Sequence, residues 1–176
     1  MFNLTAISTW PATRWPWFIV ATSALILESV ALYFQYGMGL EPCIMCIYQR
    51  VAVFGILLSS LPALSVPQSN IARMISITGL LVACIWGLLI ALEHVAMQNP
   101  DNFLLALSCD VYPNFPDWLQ LHTLMPSLFE PRGTCGDIDW SLFGYSMPQW
   151  MVFIFSCYTA CITAVVATRL LKLKTI

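Results

Sequence analysis

Charge is what this chain has least of. Asp, Glu, Lys and Arg make up 9% of its 176 residues and histidine occurs only twice, whereas soluble domains carry about 25% charged residues. That shortage excludes an ordinary soluble domain. It does not leave disorder in its place, because disorder needs low hydrophobicity together with high net charge. A basic excess is also missing: the formal net charge is −2, so nothing here suits a nucleic-acid backbone. There is no internal repeat, no low-complexity tract, no glycine-rich nucleotide fingerprint, no haem-attachment CxxCH and no iron–sulfur spacing. Seven cysteines are too few for a small disulfide scaffold at this length. What fills the chain is apolar: 59% of residues are hydrophobic, and the mean hydropathy is +0.78.

Four apolar stretches reach the roughly 20 residues a helix needs to cross a bilayer. They cover about residues 15–34, 43–66, 74–92 and 147–168. Glu28 is the only charge in the first, Arg50 the only charge in the second, and the other two carry none. The length suits one integral domain over residues 1–176. The expected fold is an all-α membrane protein, a bundle of four transmembrane helices.

Four crossings put both termini on one side. Arg14, Arg73, Arg169, Lys172 and Lys174 fall on that side with no acidic residue among them. The other side holds Glu41, Glu93, Asp101, Asp110, Asp117, Glu130, Asp137 and Asp139 against Arg132 alone. Basic residues stay in the cytoplasm, so the termini are expected there, with loops 35–42 and 93–146 facing outward. The first span resembles a signal peptide, but it is too long and lacks a small-x-small cleavage site, so it is expected to be retained. Within the large loop, Pro116–Phe129 has an apolar face and reads as a surface helix, lying in the headgroup plane or packed on the bundle.

The cysteines sort by compartment. Cys43 and Cys46 form a CxxC at the outward start of the second span, and Cys109 and Cys135 lie in the large outer loop. These four are placed where disulfides form and persist. Cys84, Cys157 and Cys161 lie inside apolar spans and read as small core residues. Pro42 suits the first turn of a helix, since its missing N–H costs nothing there. The CxxC then occupies an electropositive helix start, which favours thiolates. At about 100° per residue, Cys43, Cys46 and Arg50 fall within roughly a 60° arc. A span arginine is costly and usually functional, although one near a span end can also snorkel.

Other readings compete at each point. The CxxC could be half of a structural zinc site completed by Cys109 and Cys135, but that second pair lacks CxxC spacing and the outer compartment favours oxidation; no metal site is expected. It could also be an inert disulfide. Cys109 and Cys135 enclose 25 residues, and a purely structural bridge there would contribute about 3 kcal/mol. Asp110, Pro131, Gly133 and Gly136 suggest exposed, mobile backbone, as an exchanging disulfide needs. His94, at the outward end of the third span, could donate to a ligand oxygen or simply sit in interfacial water. Glu28 is expected to face the bundle and pair with a polar group, and His122 to be a solvated surface residue. Two outward dithiol pairs, one at the membrane surface, suggest electron relay to an apolar acceptor taking two electrons and two protons, which describes a quinone.

The segments EPCIMCIYQR at 41–50, EH at 93–94, CD at 109–110, FPDWL at 115–119 and MPQW at 147–150, with LES at 27–29 and ALYFQ at 31–35, resemble the DsbB family of bacterial inner-membrane disulfide bond formation proteins. The likeness runs in order along nearly the whole chain. It implies a protein-disulfide:quinone oxidoreductase that reoxidises DsbA, a periplasmic thioredoxin-fold oxidase. It implies that Cys109–Cys135 is the disulfide that meets DsbA, with Cys109 forming the mixed disulfide. Electrons would pass to Cys43–Cys46 through an interloop step joining Cys43 to Cys135. It further implies that Cys46, Arg50 and His94 adjoin ubiquinone, with menaquinone as a substitute. Gln49 stands where the best-known member of that family has an acidic residue beside the arginine, and so removes a charge there. A DsbB relative with a dedicated partner remains open. So does a vitamin K epoxide reductase-like enzyme, although that family places its CxxC on the last span. The non-enzymatic alternative is a four-span protein with structural loop disulfides, like a tetraspanin.

Overall fold

The computed structural model describes residues 10–99, 101 and 113–173. Four long helices dominate it: α1 (Arg14–Leu32), α2 (Ile44–Ser65), α3 (Asn70–Met97) and α4 (Met147–Leu173). Each is long and apolar enough to cross a membrane. A π-helical turn, Tyr33–Gly37, prolongs α1. α3 runs past the apolar core of its sequence at both ends, and Ser69 caps its start by accepting from the Ala72 N–H at 3.3 Å. In order, α1 packs on α2, α2 on α3, and α3 on α4. Ser23 and Tyr158 join α1 to α4 through a 2.6 Å hydroxyl contact.

Two apolar clusters lie along the bundle. The central one is built from small and branched side chains, among them Ala24, Ala52, Val53, Ile56, Leu80, Cys84 and Phe155. The second sits at the end that carries the CxxC and joins Cys43, Ile44, Met45, Ile90, Met97 and Cys135. The outside of the bundle is equally apolar: Phe18, Ile19, Leu25, Ile26, Val82 and Leu89 are all exposed. A surface of that composition suits lipid, not water. Cys84 is buried as expected, but Cys157 and Cys161 are exposed on this outer face instead of lying in the core. Average hydropathy cannot show which side of a uniformly apolar helix turns inward.

The expected surface helix over 116–129 is broken. Single helical turns form at Leu121–Leu124 and Pro126–Phe129. Between them Met125 has φ −137° and ψ 68°, because Pro126 bars the α conformation from the residue before it. A two-stranded hairpin, Ser141–Leu142 with Tyr145–Ser146, leads into α4.

Glycine sets the spacing of α3 and α4. A Cβ on Gly87 would collide with the Phe155 ring, and Phe155 is wholly buried. Helices that lack a hydrophobic driving force in lipid gain from such close approach. Gly87→Val should therefore destabilise the bundle by about 1–3 kcal/mol, lowering its melting temperature in detergent. Val82→Ala, on the outer face, should leave that temperature nearly unchanged.

Candidate functional site

The CxxC straddles a helix start. Cys43 is the N-cap of α2 and its Sγ accepts from the Cys46 N–H at 3.4 Å. The two sulfurs are 3.2 Å apart and unbonded. His94, from the far end of α3, places Nε2 3.5 Å from Cys43 Sγ. It is buried instead of standing in interfacial water. Gln49 holds the other side of the ring, with Nε2 3.1 Å from His94 Nδ1. The Gln49 amide donates there, which leaves the ring proton on Nε2, facing the sulfur. Cys43 precedes the spanning helix. The thiol contact with Cys46, then His94, pulls the Cys43 thiol from its ordinary range down to about 5 against the opposing effect of burial.

Arg50 does not snorkel. It is buried, and its guanidinium meets three other parts of the chain through Nε and Nη1. Nε lies 3.7 Å from Glu28 Oε2 on α1. Nη1 donates to Gln35 Oε1 at 2.9 Å and to the Leu128 carbonyl in the outer loop. Gln35 Nε2 and Tyr36 Oη both donate to the next carbonyl, that of Ser127. The polar partner expected for Glu28 is thus Arg50.

The loop is docked at two further points. The Asn114 N–H donates to Tyr48 Oη at 2.8 Å. The N–H groups of Arg132 and Gly133 both donate to the Pro42 carbonyl, at 2.9 and 3.1 Å. Backbone can approach this closely because Gly133 has no Cβ to strike the Glu41 carbonyl. The stretch around Gly133 expected to be mobile is therefore pinned, and it carries Cys135, which is buried and disulfide-bonded, into the cluster containing Cys43. Cys109 and Asp110 lie outside the described residues. His122 is half-buried and stacks on Phe115 at 6.0 Å instead of being solvated.

A cleft opens beside these groups. Leu27, Ala31, Phe34 and Met151 give it apolar walls, and Cys43, Cys46, Arg50 and His94 reach its surface. Its mouth carries Glu41, Asp137 and Asp139. An apolar slot with a few convergent polar groups is the usual form of a small-molecule site. Sequence reasoning missed Gln35 and the Leu128 carbonyl as partners of Arg50, and Gln49 as the partner of His94. The only sequence signals were isolated polar residues at span ends.

The family model of the disulfide bond formation protein DsbB matches residues 13–165. This chain belongs to the DsbB family. A DsbB relative from Psychromonas ingrahamii is 43% identical over 175 residues, covering 99% of this chain and 93% of its own length. One from Pseudoalteromonas atlantica is 45% identical, covering 96% and 97%. A third, from a Shewanella species, is 46% identical, covering 88% and 87%. All three bear the name disulfide bond formation protein B. A DsbB-family bundle of four apolar helices therefore carries the dithiol, the arginine and the histidine described above.

Two outcomes follow from this geometry. Arg50→Ala leaves the Glu28 carboxylate buried and alone, so it should cost about 3–5 kcal/mol; Arg50→Ala combined with Glu28→Gln should recover much of that loss, read by thermal unfolding in detergent. A depressed thiol stays ionised as pH falls until its own pKa is reached. In a variant keeping only Cys43 and Cys46, thiolate absorbance should therefore persist down to about pH 5, and Cys46→Ala should move that midpoint upward.

Proposed function

We propose that this chain is a membrane thiol–disulfide oxidoreductase that reoxidises a periplasmic dithiol oxidase of the DsbA type and delivers the electrons to a membrane quinone. The reading is supported above all by one juxtaposition: Cys135, already in a disulfide, shares one buried cluster with the reduced Cys43, and Cys46 packs against that cluster. The bundle would lie in the bacterial inner membrane with the CxxC end toward the periplasm. The distribution of basic residues supports that orientation, since Arg14, Arg73 and Arg169 fall at the opposite end.

In this reading Cys109 pairs with Cys135. A thiolate of the partner attacks Cys109, forms a mixed disulfide and releases Cys135 as a thiolate. Resolution of the mixed disulfide leaves the partner oxidised and the loop pair reduced by two electrons. Cys135 then attacks Cys43 of the oxidised CxxC, giving a Cys43–Cys135 bond and freeing Cys46 as a thiolate. Attack of Cys109 on Cys135 restores the loop disulfide and leaves Cys43 and Cys46 reduced, so each bond formed replaces one broken.

The residues of the cleft fit a quinone. Its walls are apolar, and Arg50 and His94 offer donors suited to carbonyl oxygens. When bound, a quinone accepts two electrons and two protons from the dithiol. Arg50 would hold positive charge near the Cys46 sulfur, and His94 would hold a proton at Nε2 beside Cys43. Ubiquinone is the expected acceptor, with menaquinone as a substitute.

The test mixes purified protein, a reduced DsbA-type partner and ubiquinone, and follows quinone absorbance. Wild-type protein should reduce the quinone, and Cys43→Ser or Cys46→Ser should abolish turnover. Normal turnover in either variant would exclude the relay. Arg50→Lys keeps the charge but loses the planar fork, so it should raise KM for quinone about tenfold while leaving mixed-disulfide formation with the partner unchanged.

A further inference from the structure

We propose that Cys43, Cys46 and His94 together bind a thiolate-preferring divalent cation, Zn2+, at a site that exists only while the CxxC is reduced. The three donor atoms all lie within 4.8 Å of one another. The sulfurs are 3.2 Å apart, and His94 Nε2 is 3.5 Å from Cys43 Sγ. Tetrahedral zinc, with bonds of about 2.3 Å to sulfur and about 2.0–2.1 Å to nitrogen, spaces neighbouring donors about 3.5–3.8 Å apart. The separation of His94 Nε2 from Cys43 Sγ already meets this requirement, and His94 Nε2 and Cys46 Sγ, within 4.8 Å of each other, are brought to it by a turn of the Cys46 side chain. The sulfur pair must open by about half an ångström, and Cys46, only half-buried, has room to turn.

The donors sit on α2 and α3, two helices that pack against each other. The site is therefore held by the bundle and needs nothing from the outer loop. This differs from the zinc reading of the sequence, which looked to Cys109 and Cys135 for the remaining ligands. The third ligand is a histidine one helix away.

The surroundings of His94 also suit a ligand. To bind a cation through Nε2, the ring must carry its proton on Nδ1. Gln49 faces Nδ1 at 3.1 Å, and turning its amide over presents the carbonyl oxygen as an acceptor for that proton. A hydrogen-bonded second nitrogen of this kind accompanies nearly all metal-binding histidines. Glu41, Asp137 and Asp139 line the same cleft and offset the positive charge of Arg50, which also lines it. Three protein donors leave a fourth position for water, as in open zinc sites. Binding displaces the thiol protons to solvent and moves no electron. A disulfide between Cys43 and Cys46 offers no thiolate, so oxidation abolishes the site. A bound cation would in turn hold the dithiol reduced and block its exchange.

Co2+ serves as the spectroscopic probe and Zn2+ as its competitor. The protein is the full-length chain in detergent, with Cys84, Cys109, Cys135, Cys157 and Cys161 all replaced by Ala, so that Cys43 and Cys46 are the only sulfurs of cysteine. Reduced protein should take up one Co2+ per chain with thiolate-to-metal absorption, lose it to one equivalent of Zn2+, and release protons. Oxidised protein should show no such band. His94→Ala and His94→Gln should each weaken Zn2+ binding at least about tenfold, while His94→Cys restores it with added thiolate absorption. Helical circular dichroism separates loss of a ligand from misfolding, and His94→Cys tests the third position independently. Absence of the band in reduced protein, its presence in oxidised protein, or unchanged affinity in a folded His94→Ala variant would each overturn the site.

Discussion

A buried positive charge organises the CxxC end of this bundle. Taking a guanidinium out of water costs several kcal/mol unless its donors are matched, and Arg50 is only 7% exposed. It draws Glu28 from α1, Gln35 from the turn that follows α1, and the Leu128 carbonyl from the outer loop into one cradle. Three segments distant in sequence are thereby fixed relative to the second turn of α2. The turn before it carries Cys46 and is capped by Cys43, so the charge that demands partners also sets the floor beneath the sulfurs.

Apolar contact alone would not impose this order. The rest of the bundle is made of side chains that slide easily past one another, and lipid is as apolar as they are, so burial gives little preference for one arrangement over another. Specificity comes from the few places where geometry is strict. Gly87 receives the Phe155 ring, Ser23 meets Tyr158, and the Ala63 N–H donates to Ser76 Oγ at 3.1 Å. Each joins helices that would otherwise be interchangeable cylinders.

How much could be read from the sequence depended on the range of the signal. The four long helices were legible because an apolar run of sufficient length leaves a chain few other choices. The common face of Cys43, Cys46 and Arg50 was legible because helical periodicity is local. The neighbours of His94 were not, since the register of α3 against α2 arises from packing and leaves no mark on either segment alone. Orientation within a span was hidden for the same reason: Cys84 and Cys157 sit in equally apolar surroundings, yet one is buried and the other faces outward. Pro126 is visible in the sequence, and its effect on Met125 overrides the apolar periodicity around it and splits the loop helix.

The Pro42 carbonyl has a consequence for kinetics. By accepting two successive N–H groups from the Arg132–Gly133 backbone, it tethers the loop segment bearing Cys135 to the residue that precedes Cys43. Groups held together in this way meet at an effective molarity fixed by the fold, so their encounter is unimolecular and dilution leaves its rate unchanged. Only the arrival of an outside molecule would still depend on concentration.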